Sequence, residues 1–273
     1  MTTTATPNDN ELTFTERLRH AVKEVHDQSD RLVNLKLSLV LTSKPLYTEA
    51  ISLFWPIYAE LEALLEDHKD HEHLKQFYHM LEILRRAPRF EKDMKSLLGS
   101  EDLANQLKQR RCTEGAQKKA YSPPELQAYI DQLRLLSNDN PVALLAYVYA
   151  MYSAILSGGA MIRPMVKRAY GLKTDEGVQM FMIAHDDEFP NSKSVQKKMK
   201  QILNEDMQLS EDDKQLILTE SPKVFARNNA LVASVKDTAI FATTSRDCLR
   251  YIGGIIIAVG VAIAAMVAFY ASE

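Results

Sequence analysis

Apolar residues recur at every third or fourth position along most of the chain, from about Thr13 to Ala239. This spacing puts the apolar side chains on one face of a helix, so it predicts a series of amphipathic helices. The clearest stripes consist of Leu18, Ala21, Val22 and Val25; of Ile51, Phe54, Trp55, Tyr58, Leu61, Leu64 and Leu65; and of Leu74, Phe77, Tyr78, Leu81 and Leu84. The sequence has no alternating apolar and polar run bounded by an Asn-Gly or Asp-Gly turn. The pattern therefore predicts an all-α fold.

Start signals indicate where several of these helices begin. Thr15 is the candidate N-cap of the first helix, and Pro124 begins a helix that runs to about Leu136. Ser210 is followed by three acidic residues, which favour a helix from there to roughly Ala239. The segment Gln106–Lys119 is predicted to be a loop or a short solvated helix. Further helical segments are predicted at Thr174–Ala184 and Ser194–Met207.

The central stretch from Asn140 to Leu172 is the most apolar part of this domain. It opens with Asn-Pro, carries no charge until Arg163, and reaches a helix-ending glycine at Gly171. A helix with so few polar residues must be buried or must line a cavity. Its centre holds the Ser157-Gly158-Gly159 tripeptide, and each glycine costs a helix about 1 kcal/mol relative to alanine. The pair indicates either helix–helix packing, or a kink or close approach of backbone to a flat ligand.

The two ends of the chain differ from the helical domain. Residues 1–11 lack the apolar run of a signal peptide and are predicted to form a disordered leader. Residues 252–271 contain no charge and are long enough to cross the roughly 30 Å hydrocarbon core of a bilayer. Arginines before this segment favour a domain that faces the cytosol. The predicted organisation is a helical domain at 12–240, a linker at 241–251 and a C-terminal transmembrane helix, which makes the protein tail-anchored.

Composition and the absence of common motifs argue against several classes of function. The chain of 273 residues has a formal net charge of −3, so it has no basic field, and nucleic acid is not an expected partner. Cys112 and Cys248 lie far apart and outside any CxxC spacing, which is typical of reduced thiols in a cytosol-facing protein. The common motifs of nucleotide-binding proteins, zinc proteases and serine hydrolases are absent from the sequence.

His26 is the main candidate for chemistry outside the central stretch. It lies one position past Val25, at the edge of the first apolar stripe. A histidine there is either a hydrogen-bonded boundary residue or an axial ligand of haem iron. Glu24, Asp27 and Asp30 lie close enough in sequence to orient its ring through a hydrogen bond. A second histidine group, His68, His71 and His73, falls in an acidic stretch that indicates a solvated loop rather than a metal site.

These features together resemble the haem (heme) oxygenase family. The segment that contains His26, LRHAVKEVHDQSD, is similar to the family's proximal helix, and Asn140–Gly159 aligns without gaps with its distal helix, which carries the same Ser-Gly-Gly. Phe54–Glu62 and the Phe-Pro-Asn at 189–191 also resemble family segments. The resemblance covers most of Thr13–Lys236. It implies an all-α haem oxygenase-like domain.

The resemblance also implies roles for individual residues. It makes His26 the proximal iron ligand, and it lets Gly158 and Gly159 bring the distal helix close to the haem face. It puts Tyr58 in a hydrogen-bond network on the distal side. The expected contacts of the haem propionates are Arg19, Lys23, Tyr149 and Lys200.

Four positions depart from the family pattern. Ile155 stands where the family has a distal carboxylate, Met151 where it has an arginine, Ala154 where it has a glycine, and Asn204 where it has a second basic propionate partner. An isoleucine offers no donor or acceptor to hold the water that delivers protons. The distal helix thus resembles the divergent one of invertebrate haem oxygenases, and we expect slow activity or relaxed choice of the ring carbon that is attacked.

The sequence thus predicts an oxidoreductase that opens haem, its substrate and cofactor, to biliverdin, carbon monoxide and ferrous iron with O2. The family implies electrons from NADPH through an NADPH-dependent cytochrome reductase, and an address at the endoplasmic reticulum membrane. One alternative is a haem-binding carrier or sensor without catalytic activity. Another is a tail-anchored helical interaction protein without a cofactor.

Overall fold

The computed structural model describes residues 12–110, 122–183 and 188–237, together with Phe241 and residues 244–246. The described residues form helices and turns, and none of them forms a strand, so the all-α prediction is confirmed for this part of the chain. The α-helices in chain order are α1 Phe14–Val40, α2 Lys44–Asp67, α3 Lys75–His79, α4 Leu81–Leu84, α5 Ala87–Leu98, α6 Glu101–Arg110, α7 Pro124–Asp139, α8 Leu144–Tyr170, α9 Ser192–Gln201 and α10 Glu211–Ser234.

The first helix begins two residues earlier than predicted. Thr13, not Thr15, is the N-cap of α1, and it forms a capping box with Glu16. The backbone N–H and the hydroxyl of Thr13 each donate to the Glu16 carboxylate at 2.8 Å. The Thr-x-x-Glu spacing fits only Thr13, because the residue three positions after Thr15 is Leu18. The predicted cap at Thr15 is therefore wrong.

Helix α5 was missed at the sequence level, although its signals are present. Pro88 lies in the first turn, and Gly99 ends the helix in the left-handed conformation with φ of 66°. Proline just inside the start and glycine just past the end are the usual signs of a helix. Phe90, Met94 and Leu97 give α5 a buried face, which packs against α2.

Other boundaries also differ from prediction. The predicted helical segment Thr174–Ala184 is wrong over its described part, 174–183, which forms turns with a single 3₁₀ turn at Gln179–Phe181. Gly177 within it has φ of 89°. The helix predicted to end near Leu136 continues to Asp139. The predicted segment Ser194–Met207 corresponds to α9, which begins at Ser192, and to one π turn at Ile202–Asp206. The third stripe is divided between α3 and α4, and α10 ends at Ser234 rather than Ala239.

Helix α8 lies at the centre of the core. With the preceding 3₁₀ turn it covers Pro141–Tyr170. Among the described residues, this is the one helix that is long and apolar enough to span a membrane. However, 67% of its most apolar window is buried inside the domain. Gly171 ends it in the left-handed conformation, as predicted. Helix α10 packs against both α1 and α8, while α2 packs against α5 and α7. The central stretch is thus a core helix.

Several predictions lie outside the described residues and stay predictions. These are the leader at 1–11, Cys112, Cys248, most of the linker and the membrane anchor at 252–271.

Candidate functional site

Helix α8 has one buried face and one open face. The open face consists of half-buried or exposed residues at steps of three and four: Ala150, Ser153, Ala154, Ser157, Gly158 and Met161. All but Met161 are small, so another group can approach the backbone closely. The opposite face is buried and includes Met151, Tyr152, Ile155, Leu156 and Gly159. The helix runs unbroken through the glycine pair and Pro164.

The two adjacent glycines have different surroundings. A Cβ atom on Gly159 would lie 2.9 Å from the Cβ of Phe181, which is closer than side chains tolerate. A Cβ atom on Gly158 would meet only the Cδ1 of Ile162, at an ordinary 3.7 Å. Packing against the 3₁₀ turn therefore favours glycine at position 159, while the role of the glycine pair toward a ligand stays a prediction. Gly158 lies on the open side of α8.

Helix α1 is fixed at its ends and open along its middle. Phe14, Leu18 and Val40 are buried, whereas none of the described side chains from Arg19 to Leu39 is. A helix of this length in a packed domain normally buries an apolar stripe along its whole length. The middle of α1 therefore borders an open space.

His26 lies in this open part of α1. Its side chain is 51% exposed, and its Nδ1 lies 3.5 Å from an Asp30 carboxylate oxygen. Its ring also contacts the ring of Phe225 on α10, with centroids 5.6 Å apart. Asp27 is held by Lys23 at 3.1 Å, so Asp30 is the carboxylate best placed to orient the imidazole. Among the described residues, the Nε2 atom of His26 has no partner.

Two sets of contacts hold α1 and α8 in a fixed relation. At one end, the Tyr170 hydroxyl on α8 donates to the backbone oxygen of Val40 at 3.0 Å. At the other end, Gln196 on α9 donates to the Ser157 hydroxyl at 2.6 Å. The π turn that follows α9 carries Asn204, whose amide accepts from the Thr15 backbone N–H at 3.0 Å and donates to the Thr15 hydroxyl at 3.1 Å. From these links we infer that the open faces of α1 and α8 border one space, which we name the slot.

The residues expected at the propionates lie on α1, α8 and α9. Arg19 and Lys23 are exposed on α1, and Lys200 is exposed on α9. The pKa of the Glu16 carboxyl on α1 is lowered chiefly by hydrogen bonds from Thr13, with smaller contributions from positive charges that include Lys200. Burial raises the pKa of the Tyr149 phenol, so that group stays neutral at physiological pH. Asn204 stands at the position where the family resemblance implies a second basic partner of the propionates, and its side-chain amide is hydrogen-bonded to Thr15.

Behind α8, several hydroxyl and amide groups converge on Met151. The Tyr58 hydroxyl donates to the Met151 backbone oxygen at 3.0 Å. The Tyr129 hydroxyl donates to the Asn228 side-chain oxygen at 3.1 Å, and the Asn228 amide lies 3.3 Å from the Met151 sulfur. Sequence reasoning singled out Tyr58 but not Tyr129 or Asn228, because neither of these lies in a motif that marks a functional residue. Ile155 is 8% exposed and adds no polar atom to this group.

The turn against Gly159 is held by two buried charged residues that the sequence did not single out. The Asp93 carboxylate accepts from the backbone N–H groups of Gln179 at 2.8 Å and Met180 at 2.7 Å. The Arg86 guanidinium donates to the Met182 backbone oxygen at 2.9 Å. Both side chains have no solvent exposure. They fix the segment whose Phe181 supports α8 under the glycine pair.

This anchoring predicts a pH dependence of stability. Burial raises the pKa of Asp93 to about 7, well above the roughly 3.9 of an unfolded chain. The stabilisation from this group is therefore full below about pH 4 and is lost as the pH rises to about 7, with a few kcal/mol at stake. Thermal unfolding from pH 5 to 8 should show the advantage of the unmodified protein over Asp93→Asn shrinking with pH. An advantage that grows with pH would contradict this.

The histidine group lies away from the slot. The Nε2 atom of His68 lies 2.7 Å from the Ser137 hydroxyl on α7, and the side chain is half-buried. Burial lowers the pKa of His71, and the neighbouring His73 adds to the effect. The described residues contain no group of three or more side chains arranged to hold a metal ion.

Comparisons with known proteins find a matching family and related structures. A family model described as "Heme oxygenase" matches residues 12–234. "Heme oxygenase 2" of Mus musculus is 29% identical over 217 residues, which cover 79% of this chain and 63% of the mouse protein, less than two thirds of its length. "Heme-binding protein HMX1" of Saccharomyces cerevisiae is 25% identical over 166 residues, covering 57% of this chain and 50% of that protein. The crystal structure of heme oxygenase 2 from Chlamydomonas reinhardtii, determined without heme, superposes with a TM-score of 0.72 at 25% identity, covering 84% of this chain and all of that one.

Proposed function

Since the chain belongs to the haem oxygenase family, we propose that it binds haem in the slot and opens it to biliverdin, carbon monoxide and ferrous iron. The reaction would use O2 and electrons from NADPH, delivered by a reductase. The observation that carries the proposal is the position of His26, which lies half exposed beside Asp30 on the open part of α1. The other helix that borders the slot, α8, presents a face of small residues.

The residues on both helices fit a flat ligand with an iron centre. His26 offers a ring nitrogen that has no partner in the part of the chain that the structure describes, and neutral imidazole is a common ligand of haem iron. Gly158 leaves the backbone of α8 accessible on its open side. Haem, when bound, supplies the redox-active iron and the ring that is oxidised.

The protein's own groups then bind, orient and shield. His26 would hold the iron, and Asp30 would fix the direction of its ring. Arg19, Lys23 and Lys200 would attract the propionates, whose negative charge favours the solvent-exposed edge of the slot. Burial of the apolar ring against α8 would exclude water from one face of the ligand.

Proton delivery is the step in which this chain departs from its family. Neither Ile155 nor Met151 has a side chain that holds a water by a strong hydrogen bond. Tyr58, Tyr129 and Asn228 are polar groups of the described residues behind α8. We therefore propose slow turnover with relaxed choice of the attacked ring carbon.

A second candidate is a haem-binding carrier or sensor. The same two positions favour it, since Ile155 and Met151 remove both charged groups from the distal side. In this case the slot would bind haem by the contacts described above, and the ring would stay intact.

For location, we propose a tail-anchored protein whose domain faces the cytosol, with residues 252–271 in the membrane. The support is the absence of charge in that segment and the arginines before it. The endoplasmic reticulum is the address that the family resemblance suggests. Sharing one membrane with the reductase would raise their effective concentration.

The test is a haem titration of the full chain in detergent, followed by an electron donor under air. A Soret band that forms at one equivalent and then decays to a bile-pigment spectrum, with carbon monoxide released, is the expected result. A Soret band that persists would favour the carrier or sensor. Failure to bind haem would overturn both.

A further inference from the structure

The three histidines that lie away from the slot form one row of rings. His68 is the C-cap of α2, and His71 and His73 follow in the turn that leads to α3. The rings of His68 and His71 meet edge to face with centroids 6.1 Å apart, and those of His71 and His73 are 5.9 Å apart. His71 therefore lies between two other side chains that can carry a positive charge near neutral pH.

The row joins the end of α2 to two other helices. On one side, the Nε2 atom of His68 lies 2.7 Å from the Ser137 hydroxyl near the end of α7. On the other side, the Nε2 atom of His73 lies 3.9 Å from an Asp213 carboxylate oxygen, and the His73 side chain is only 12% exposed. Asp213 also belongs to the cap of α10, because its carboxylate accepts from the Ser210 hydroxyl at 2.7 Å. A movement of the row therefore acts on the end of α7 and on the start of α10.

A hydrogen bond in the middle of the row fixes the protonation of His71. Its Nδ1 atom accepts from the backbone N–H of His73 at 3.2 Å. A neutral imidazole that accepts at Nδ1 carries its proton on Nε2. A second proton can bind only at Nδ1, where it would turn the acceptor into a donor that faces another donor. Protonation of His71 thus breaks this hydrogen bond and also places a charge between His68 and His73.

The charges around His71 act mostly in the same direction. Burial lowers the pKa of His71, and the neighbouring His73 and His68 lower it further. Glu72 on the same turn and Asp213 on α10 raise it, but their effects are smaller. Helix α7 contributes an uncharged hydroxyl to the row. The fold therefore favours the neutral form of His71.

We propose that His68, His71 and His73 form a pH-sensitive clasp, which ties the end of α7 and the start of α10 to the end of α2 at neutral pH and loosens as the pH falls below about 6.5. Acid adds protons to the row, so that like charges face each other along it and the acceptor at Nδ1 of His71 is lost. The first residue of α10, Glu211, accepts from the Arg17 guanidinium at 3.2 Å, so loosening there also affects the contact between α10 and α1. The clasp acts in the haem-free protein and is independent of the proposed function.

The clasp predicts that acid lowers the stability of the fold. Because the folded protein binds a proton at His71 less readily than the unfolded chain, the stabilisation is full above about pH 6.5 and is lost as the pH falls below that value. His71→Asn keeps an acceptor near the position of Nδ1 but cannot be protonated. From about pH 8 to about pH 5, the midpoint of thermal unfolding of the full chain in detergent should fall by about 2–4 °C more in the unmodified protein than in His71→Asn, as expected for one lost hydrogen bond.

His79→Asn is the matched control, because His79 is exposed at the end of α3. This variant should show the same pH dependence as the unmodified protein. The carboxyl of Asp93 is present in all three proteins, so its contribution cancels in the comparison. Equal pH dependence in the unmodified protein and His71→Asn would overturn the clasp, and so would an unmodified protein that gains stability in acid relative to that variant.

Nitrogen-15 spectroscopy of the histidine rings measures the protonation of His71 directly. At about pH 7.5, its Nδ1 should be unprotonated and its Nε2 protonated. A proton on Nδ1 at this pH would contradict the hydrogen bond from His73 and overturn the clasp, whether or not the asparagine variant folds.

Hydrogen exchange shows whether the loosening reaches α10. At about pH 5.5, backbone amides in the first turns of α10 should exchange faster in the unmodified protein than in His71→Asn, whereas at about pH 7.5 the two should agree. Equal exchange at both pH values would overturn the link to α10. A chain that binds no haem would fail the proposed function, and all three measurements would still decide the clasp.

Discussion

Replacing His26 with alanine is expected to lower haem affinity by about a hundredfold or more, equivalent to about 3 kcal/mol. The remaining complex should show a shifted and broadened Soret band, because the iron loses its protein ligand. The physical reason is the position of the imidazole, half exposed in the open part of α1 and oriented by Asp30. Titration with haemin, followed by absorption spectroscopy, measures both effects.

His20→Ala is the matched control for this experiment. His20 lies on the same helix, six residues before His26, and is also exposed. Its loss should leave the Soret band and the affinity unchanged, and added imidazole should restore the band only in His26→Ala. Equal spectra for both variants would show that another residue binds the iron.

Valine at the two adjacent glycines is expected to separate binding from folding. Gly159→Val should lower the stability of the haem-free protein by about 3 kcal/mol, since its Cβ would lie 2.9 Å from Phe181 and overpack the turn. The midpoint of thermal unfolding should fall by about 6–12 °C. Gly158→Val should leave stability within about 0.5 kcal/mol, because its Cβ meets only Ile162 at an ordinary distance.

For Gly158→Val we expect weaker haem binding in spite of unchanged stability. A valine there projects from the open face of α8 into the slot, so affinity should fall at least tenfold although the fold is intact. Differential scanning calorimetry and haem titration of both variants give the comparison. Full affinity in Gly158→Val would mean that the ligand does not lie against this face.

The sequence was informative where one local pattern determines the structure. The apolar stripe of α8, its start at Asn-Pro and its end at Gly171 follow from residues that are neighbours along the chain. The Asn191 cap of α9 is an equally local signal, although the predicted segment began at Ser194; the Asn191 side chain accepts from two backbone N–H groups in the first helical turn. Such signals act within one or two turns, so they are readable without the fold.

The buried charges were not predictable in this way. Arg86 and Asp93 lie in a charged stretch, RRAPRFEKD, that resembles a solvated helix face. Their partners, Met182 and the N–H groups of Gln179 and Met180, are 86 or more residues away in the chain. Only the folded structure brings these groups together, and only burial turns ordinary surface residue types into internal anchors.

Asn204 illustrates the same limit at the edge of the slot. Aligned with the family, it marks the absence of a basic residue. In the structure it pairs twice with Thr15, 189 residues earlier, and joins the π turn after α9 to the start of α1. A substitution that removes one role can thus supply another, which sequence alone does not reveal.

The exposed middle of α1 has a consequence for the lifetime of the protein. None of the described side chains between Arg19 and Leu39 is buried, so this part of the helix opens locally at low free-energy cost. Locally opened segments are where proteases cut. A ligand that binds only the closed form suppresses such opening in proportion to its concentration over its dissociation constant. If haem is that ligand, as proposed, its supply would set how fast the protein is degraded, and the abundance of the protein in the cell would follow the amount of haem.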